Sequence, residues 1–281
     1  MKRFFLIIQT IFIIFTRSCE KNSIESIIPS DDIIISDNDT VTEEEILKID
    51  LTNKIFLNVI NDTTLLIPKI VHNYEINWEY DSDYLSYDGS MMKPKKDGKT
   101  KLIANINNQN IHFFVEIENL SFIKTVQYGL NFHYMFISDK KKMSGDMDPK
   151  QIVLHNTANT APAINEIKWL GNKDNTSSTS FHFAVDDTGV YQAIPTEIIA
   201  HHAGVRVINY QSIGVEIAKS MITDEKIKDE AIMKGAQLIA LLMSYYQLDI
   251  KDVITHYEAS GKYCPHDVFD RFDINKFYAI L

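Results

Sequence analysis

The sequence predicts two folded parts in one chain: a small all-β sandwich over residues 46–120, then an α/β domain, a mixed central sheet flanked by helices, over 121–281. Three observations carry this expectation. The chain has 281 residues, more than one typical domain needs. Short β-branched and aromatic runs separated by turn residues fill the stretch from Ile46 to Ile117. From Lys150 onward the spacing changes, and strand-length apolar runs alternate with helical periodicity in the order β, α, β, β, β, α, β. Hydrophobic residues make up 45% of the chain, enough to build real cores and to exclude wholesale disorder. The formal net charge is −10 with no basic block, which argues against nucleic acid as a partner.

The N-terminus reads as a targeting segment. Lys2 and Arg3 precede an apolar run from Phe4 to Phe15, interrupted by Gln9 and Thr10. This is the basic region and hydrophobic region of a signal peptide (1–18), too short to span a bilayer comfortably. The next residues, Thr16-Arg17-Ser18-Cys19, resemble the lipobox of bacterial lipoproteins, with Arg17 and Thr16 departing from its usual pattern. That resemblance implies lipidation of Cys19 and an exported, membrane-anchored protein of the cell envelope, in the periplasm or at the cell surface. The alternative is an ordinary signal peptide or short anchor with an incidental Cys. Residues 19–45, rich in Ser, Asp, Glu and Asn, read as a tether.

In the β-rich part, strands are expected at Ile55–Val59, Thr64–Ile67, Ile76–Tyr80, Lys101–Ile106 and Ile111–Ile117. Turn material separates them at Asn61-Asp62, Asp81-Ser82-Asp83, Asp88-Gly89 and Lys96-Asp97-Gly98. The run Ile76-Asn77-Trp78-Glu79-Tyr80, followed by Asp88-Gly89 and Gly98 to Ala104, resembles a bacterial immunoglobulin-like module. Trp78 is expected in its core. The module is assigned no chemistry and reads as a spacer or adhesion surface.

In the second part, Gln151–Leu154 is an apolar strand ending at His155. Pro162 opens a short helix to about Leu170, stopped by Gly171. Phe181–Val185 and Val190–Ile194 form a hairpin across Asp186-Asp187-Thr188-Gly189. Ser212–Ala218 is a further strand, Thr223–Gln247 the longest helix, and Val253–Thr255 a strand leading into His256.

His155 and His256 each follow a short strand, where a sheet presents side chains rigidly to a cleft. Cys264 lies eight residues beyond His256, across a loop containing Gly261. Cys19 has its own explanation, so no disulfide is expected, and Cys264 is an exported thiol in need of a use. Two imidazoles and a thiolate make a three-ligand zinc set with one open position. By themselves the three residues, scattered over a hundred positions, favour a structural reading, a buried Cys with two core histidines.

The surroundings decide between the two. The run Val153-Leu154-His155-Asn156-Thr157-Ala158 resembles the opening motif of the type-2 N-acetylmuramoyl-L-alanine amidases, the superfamily of the phage lysozyme amidases and peptidoglycan recognition proteins. Four further pieces recur in that order: Phe181-His182-Phe183-Ala184-Val185 with Gly189 to Pro195, His202-Ala203-Gly204, Ser212-Ile213-Gly214-Val215-Glu216, and His256-Tyr257-Glu258 through Cys264-Pro265. The resemblance covers about 150–281. It implies a zinc amidase domain over 121–281, with Zn2+ held by His155, His256 and Cys264. It further implies Glu216 as catalytic glutamate and Lys262 as transition-state stabiliser. His182 and His202 fall where they could contact the substrate, peptidoglycan, or orient the site, with a structural hydrogen-bonding role equally open, and Asn156 and Thr157, also read as substrate-side residues, could support the first ligand. Many members carry Tyr where this chain has Phe181, so the absent hydroxyl shifts the proton chemistry onto Glu216. His201 and His266 are expected to be structural. A monomer is expected. The competing readings are a peptidoglycan-binding receptor without catalysis, and a surface adhesin. Retention of Glu216, Lys262 and Cys264 favours catalysis.

Overall fold

The computed structural model describes residues 54–71, 73–219 and 224–281. The expected signal peptide, Cys19, the tether and residues 46–53 lie outside them.

The N-terminal half is antiparallel. Its strands are β1 (Asn58–Asn61), β2 (Thr64–Leu66), β3 (Ile70–Val71), β4 (Tyr74–Glu75), β5 (Asn77–Tyr80), β6 (Leu85–Tyr87), β7 (Met91–Pro94), β8 (Gly98–Ile106), β9 (Gln109–Glu118), β10 (Ser121–Gln127) and β11 (Leu130–Tyr134). β1, β2, β7 and β6 form a four-stranded sheet, and β3 pairs with β4. On β8 and β9 every second residue is apolar. Leu102, Ala104 and Ile106 are buried beside Ile111, Phe113, Val115 and Ile117, while Lys99 and Lys101 face outward. The β8–β9 turn is Asn107-Asn108, both at positive φ (44° and 60°), as a two-residue hairpin turn of this hand requires. Trp78, expected in the core, is half-buried and packs against it, its ring 5.9 Å from that of Phe113 and its indole N–H donated to the Pro68 carbonyl.

The C-terminal half contains β12 (Met143–Asp146), β13 (Gln151–Asn156), α1 (Ala163–Leu170), β14 (Phe183–Val185), β15 (Val190–Gln192), β16 (Ile198–Ala200), α2 (Arg206–Asn209), β17 (Ser212–Ile217), α3 (Glu225–Tyr246), β18 (Val253–Thr255), α4 (His256–Ser260) and α5 (Ile274–Tyr278). Asp186 accepts from Thr188 N and Gly189 N in the β14–β15 turn and from Ala163 N at the start of α1, so one carboxylate ties the hairpin to the helix. Asp224 caps α3, and Gln247 ends it in the left-handed region at φ 55°.

Ten strands share one mixed sheet, in the order β18-β13-β17-β14-β15-β11-β10-β9-β8-β5. β13 runs parallel to both β17 and β18, and β11 runs parallel to β15. Strand alternation divides the two faces. Leu154, Phe183, Val185, Val215 and Ile217 point into the main core with α3. Gly235 lets α3 approach closely, since a Cβ there would lie 2.7 Å from the Ile217 side chain. Ala184 and Tyr191 point to the other face and pack with α1 and Phe181 in a smaller cluster.

The expected boundary at residue 120 is not where the chain divides. β9 and β10 are hairpin neighbours joined by Asn119-Leu120, both at positive φ, in place of a linker. One apolar core runs from Ile55 to Phe277, and Asn58 on β1 donates to the Glu197 carboxylate beside β16. Residues 54–120 thus have the predicted β content, but they are not a sandwich separate from 121–281. The alternation of apolar residues identified strands; it carried no information on which strand edges pair.

Candidate metal centre

His155 lies near the C-terminal end of β13 and Glu216 near that of β17. The two are register partners on adjacent parallel strands, so both side chains emerge on the face that carries α1. His256 is reached by a different device. β18 ends at Thr255, which caps α4 reciprocally with Glu258: Glu258 N donates to the Thr255 hydroxyl at 3.1 Å, and Thr255 N donates to the Glu258 carboxylate at 2.7 Å. That box fixes where α4 begins and so aims its first residue, His256. Gly261, at φ 80°, then turns the chain back, and Tyr257 N donates to the Cys264 carbonyl. The Cys264 sulfur accepts from Asn156 N at 3.3 Å, next to His155.

One donor atom from each of His155, His256 and Cys264 lies within 4.8 Å of the other two, and all three residues are buried. His155 is 1% exposed. Its Nδ1 faces the Nδ1 of His256 at 2.9 Å. The remaining nitrogen of His155 is occupied elsewhere, His155 Nε2 meeting His202 Nδ1 at 3.1 Å. Burial pushes both imidazoles toward the neutral form, and Lys262 adds to this. Burial also pushes the Cys264 thiol up to about 11, against the pull of Asn156 N–H. Glu216 is raised to about 8, first by burial, with Lys262 opposing and Glu166 on α1 contributing. One Glu216 oxygen is 4.0 Å from His155 Nδ1, and the other is sealed from solvent with no hydrogen-bond partner.

This donor set fits zinc. Two neutral imidazole nitrogens and one sulfur converge in a buried space, and a cation there would lower the thiol's proton affinity and give the orphaned carboxylate a counter-charge. His155, His256 and Cys264 would hold it.

The other predicted residues fall in different places. Lys262 is exposed, with its charge felt by Glu216, both imidazoles and Cys264. The four residues expected at the substrate are turned inward. His182 is 0% exposed; its Nε2 donates to the Ile198 carbonyl at 2.9 Å, and its Nδ1 accepts from Gly214 N at 2.9 Å. His202 is buried between His155 and the Ser212 carbonyl. Asn156 gives its amide N–H to Ile217 O and receives Asp267 N and Val268 N, which braces the segment after Cys264. The Thr157 hydroxyl is used by Asn159 O and Lys219 N. Internal hydrogen bonds claim their polar atoms, as the structural alternative for His182 and His202 has it. His201 bonds Ser144 and Ser178 O, away from the three ligands. Asn209 and Gly214 were missed. A glycine inside a strand signals close backbone approach, and Gly214 provides it: a Cβ there would lie 2.6 Å from the His202 ring.

Residues 145–267 match the family described as N-acetylmuramoyl-L-alanine amidase. The N-acetylmuramoyl-L-alanine amidase CwlA of a Bacillus species is 43% identical over 128 residues, 44% of this chain and 50% of that protein. The amidase XlyB of Bacillus subtilis (strain 168) is 42% identical over 130 residues, 45% of this chain and 40% of that protein. The chain thus spans about half the length of the curated relatives it matches. Among solved structures, the catalytic domain of XlyA is 34% identical with a TM-score of 0.49, covering 54% of this chain and 99% of that one.

Proposed function

We propose, from the premise that residues 145–267 belong to the N-acetylmuramoyl-L-alanine amidase family, that this protein is a zinc-dependent hydrolase. Its substrate is the amide between N-acetylmuramic acid and the L-alanine of the peptidoglycan stem peptide, and its role is cell-wall turnover or remodelling. The observation that carries this reading is the convergence of His155, His256 and Cys264 with the Glu216 carboxylate on the same sheet face. Bound zinc would supply Lewis-acid polarisation of a water and of the scissile carbonyl. Glu216 would accept a proton from the attacking water and deliver it to the leaving amine. Its buried, unpartnered oxygen and high proton affinity suit a group that must hold a proton between two steps. Lys262 supplies positive charge at the exposed edge of the site, where the carbonyl oxygen turns anionic. Phe181, buried and without a hydroxyl, takes no part in proton transfer.

The signal-like N-terminus and Cys19 support placement in the cell envelope as a lipid-anchored protein. The test uses the full chain. Zinc is quantified, and purified peptidoglycan is digested while free stem peptides with an L-alanine amino terminus are followed. Wild type is expected to carry about one zinc per chain and to release stem peptides. Cys264→Ala is expected to lose zinc. Glu216→Gln is expected to keep zinc and lose roughly 10²–10⁴-fold in rate. Zinc and wall binding without release of stem peptides would overturn the hydrolase and leave a receptor.

A further inference from the structure

We propose that His202 is a positioning residue which, with the backbone carbonyl of Ser212, selects the tautomer of His155 and presents its Nδ1 lone pair to the metal. The proposal deepens the zinc reading above and rests on it for its consequence, though not for its geometry.

The direction of each hydrogen follows from one fixed point. A carbonyl oxygen only accepts, and His202 Nε2 lies 3.1 Å from the Ser212 carbonyl, so that nitrogen carries the hydrogen. The Ser212 hydroxyl does not reverse this. Its own hydrogen goes to Ile208 O at 2.7 Å, so toward His202 Nε2, 3.4 Å away, it too can only accept. A neutral imidazole protonated at Nε2 has its lone pair at Nδ1. That lone pair meets His155 Nε2 at 3.1 Å, so the hydrogen of this contact sits on His155 Nε2. His155 Nδ1 is then bare. The two rings stand nearly perpendicular, at 89°. The bare Nδ1 of His155 faces His256 Nδ1 at 2.9 Å, on the side where the three donor atoms converge.

His202 is itself rigidly held. Its own backbone N–H and that of Ala203 both donate to the Asn209 side-chain oxygen, at 3.1 and 2.8 Å. Its ring lies flat on Gly214. A metal-binding histidine whose second nitrogen is anchored in this way loses roughly 10–100-fold in metal affinity when the anchor is removed.

The test compares His202→Asn with His202→Leu in the full chain. The two side chains share size and shape, but Asn places an acceptor oxygen near the position of Nδ1 and Leu places none. Zinc affinity is measured by competition with a chromophoric chelator. Leu is expected to weaken zinc roughly 10–100-fold, and Asn to recover most of the loss. Equal affinities for the two variants and wild type would overturn the relay, while stem-peptide release by wild type would leave the amidase intact. Nitrogen-15 NMR of histidine-labelled, metal-free wild type gives a second readout that needs no variant. His155 is expected to show a protonated Nε2 and a bare Nδ1, and the opposite pattern would overturn the proposal whether or not the protein binds zinc.

Discussion

His182 makes the fold acid-labile to a degree that can be worked out and measured. Its ring is wholly buried, donates Nε2–H to the Ile198 carbonyl and accepts Gly214 N–H at Nδ1. A proton added at Nδ1 would oppose the Gly214 hydrogen and place an unpaired charge in the interior. Burial accordingly lowers the ring from 6.5 to about 4. In the unfolded chain the ring takes its proton near 6.5. Between those two values the unfolded state binds more protons than the folded state, so stability falls as pH falls. Above that window both states are neutral and nothing is lost. At ~1.4 kcal/mol per pH unit the full window is worth about 3 kcal/mol, a large share of an ordinary domain's stability of roughly 5–15 kcal/mol. The assay is urea unfolding of the full chain from about pH 7.5 to about pH 4.5. His133, His155, His202 and His256 shift in the same direction and Glu216, raised to about 8, in the opposite one, so the wild-type slope contains all of them. His182→Gln isolates one of them. It is expected to be less stable at neutral pH, with a pH slope shallower by up to ~1.4 kcal/mol per unit inside the window. Identical slopes for variant and wild type would refute the assignment of a neutral, doubly bonded His182.

Two further outcomes follow from packing. Gly214→Ala puts a methyl group 2.6–2.9 Å from three ring atoms of His202. It should cost about 1–3 kcal/mol of stability and weaken zinc together with it, read by thermal unfolding and chelator competition; no change in either would show that the ring can move aside. A fragment of residues 121–281 should lose cooperative folding, because removing the N-terminal half uncovers β10 along its whole length and exposes Phe122, Leu130 and Phe132. A well-dispersed NMR spectrum from that fragment would show that the halves fold independently.

The convergence of His155, His256 and Cys264 and the Glu216 strand were legible in the sequence, because His155, Glu216 and His256 each stand at or just past the end of an apolar strand and Cys264 lies one short loop beyond His256. The helix over 225–246 was legible from its spacing. Two things were not legible. The parallel pairing of β11 with β15 joins Phe132 to Val190, and no local pattern records a partner so far along the chain. The roles of His182, His202, Asn156 and Thr157 were equally hidden. A buried histidine and a substrate-contacting one look alike in a motif, and only the direction of their hydrogen bonds separates them. Asn107-Asn108, by contrast, was a local signal open to reading, since Asn is among the few side chains that tolerate positive φ.

The ten-stranded sheet also bears on the order in which the chain folds. β8, β9, β10 and β11 are sequential neighbours linked by two-residue turns, so their pairing closes small loops. β13 and β18 pair Ile152 with Val253, and His155 meets His256 across 101 positions. Loop-closure entropy rises with separation, and contacts between distant residues form late. The hairpin stack, finished by β11, is then a template whose free edge captures β15, and the ligands assemble last. On this topology the β-rich half acts on the metal site through time as well as through space: it supplies the surface on which the distant strands find their register before any ligand can meet another.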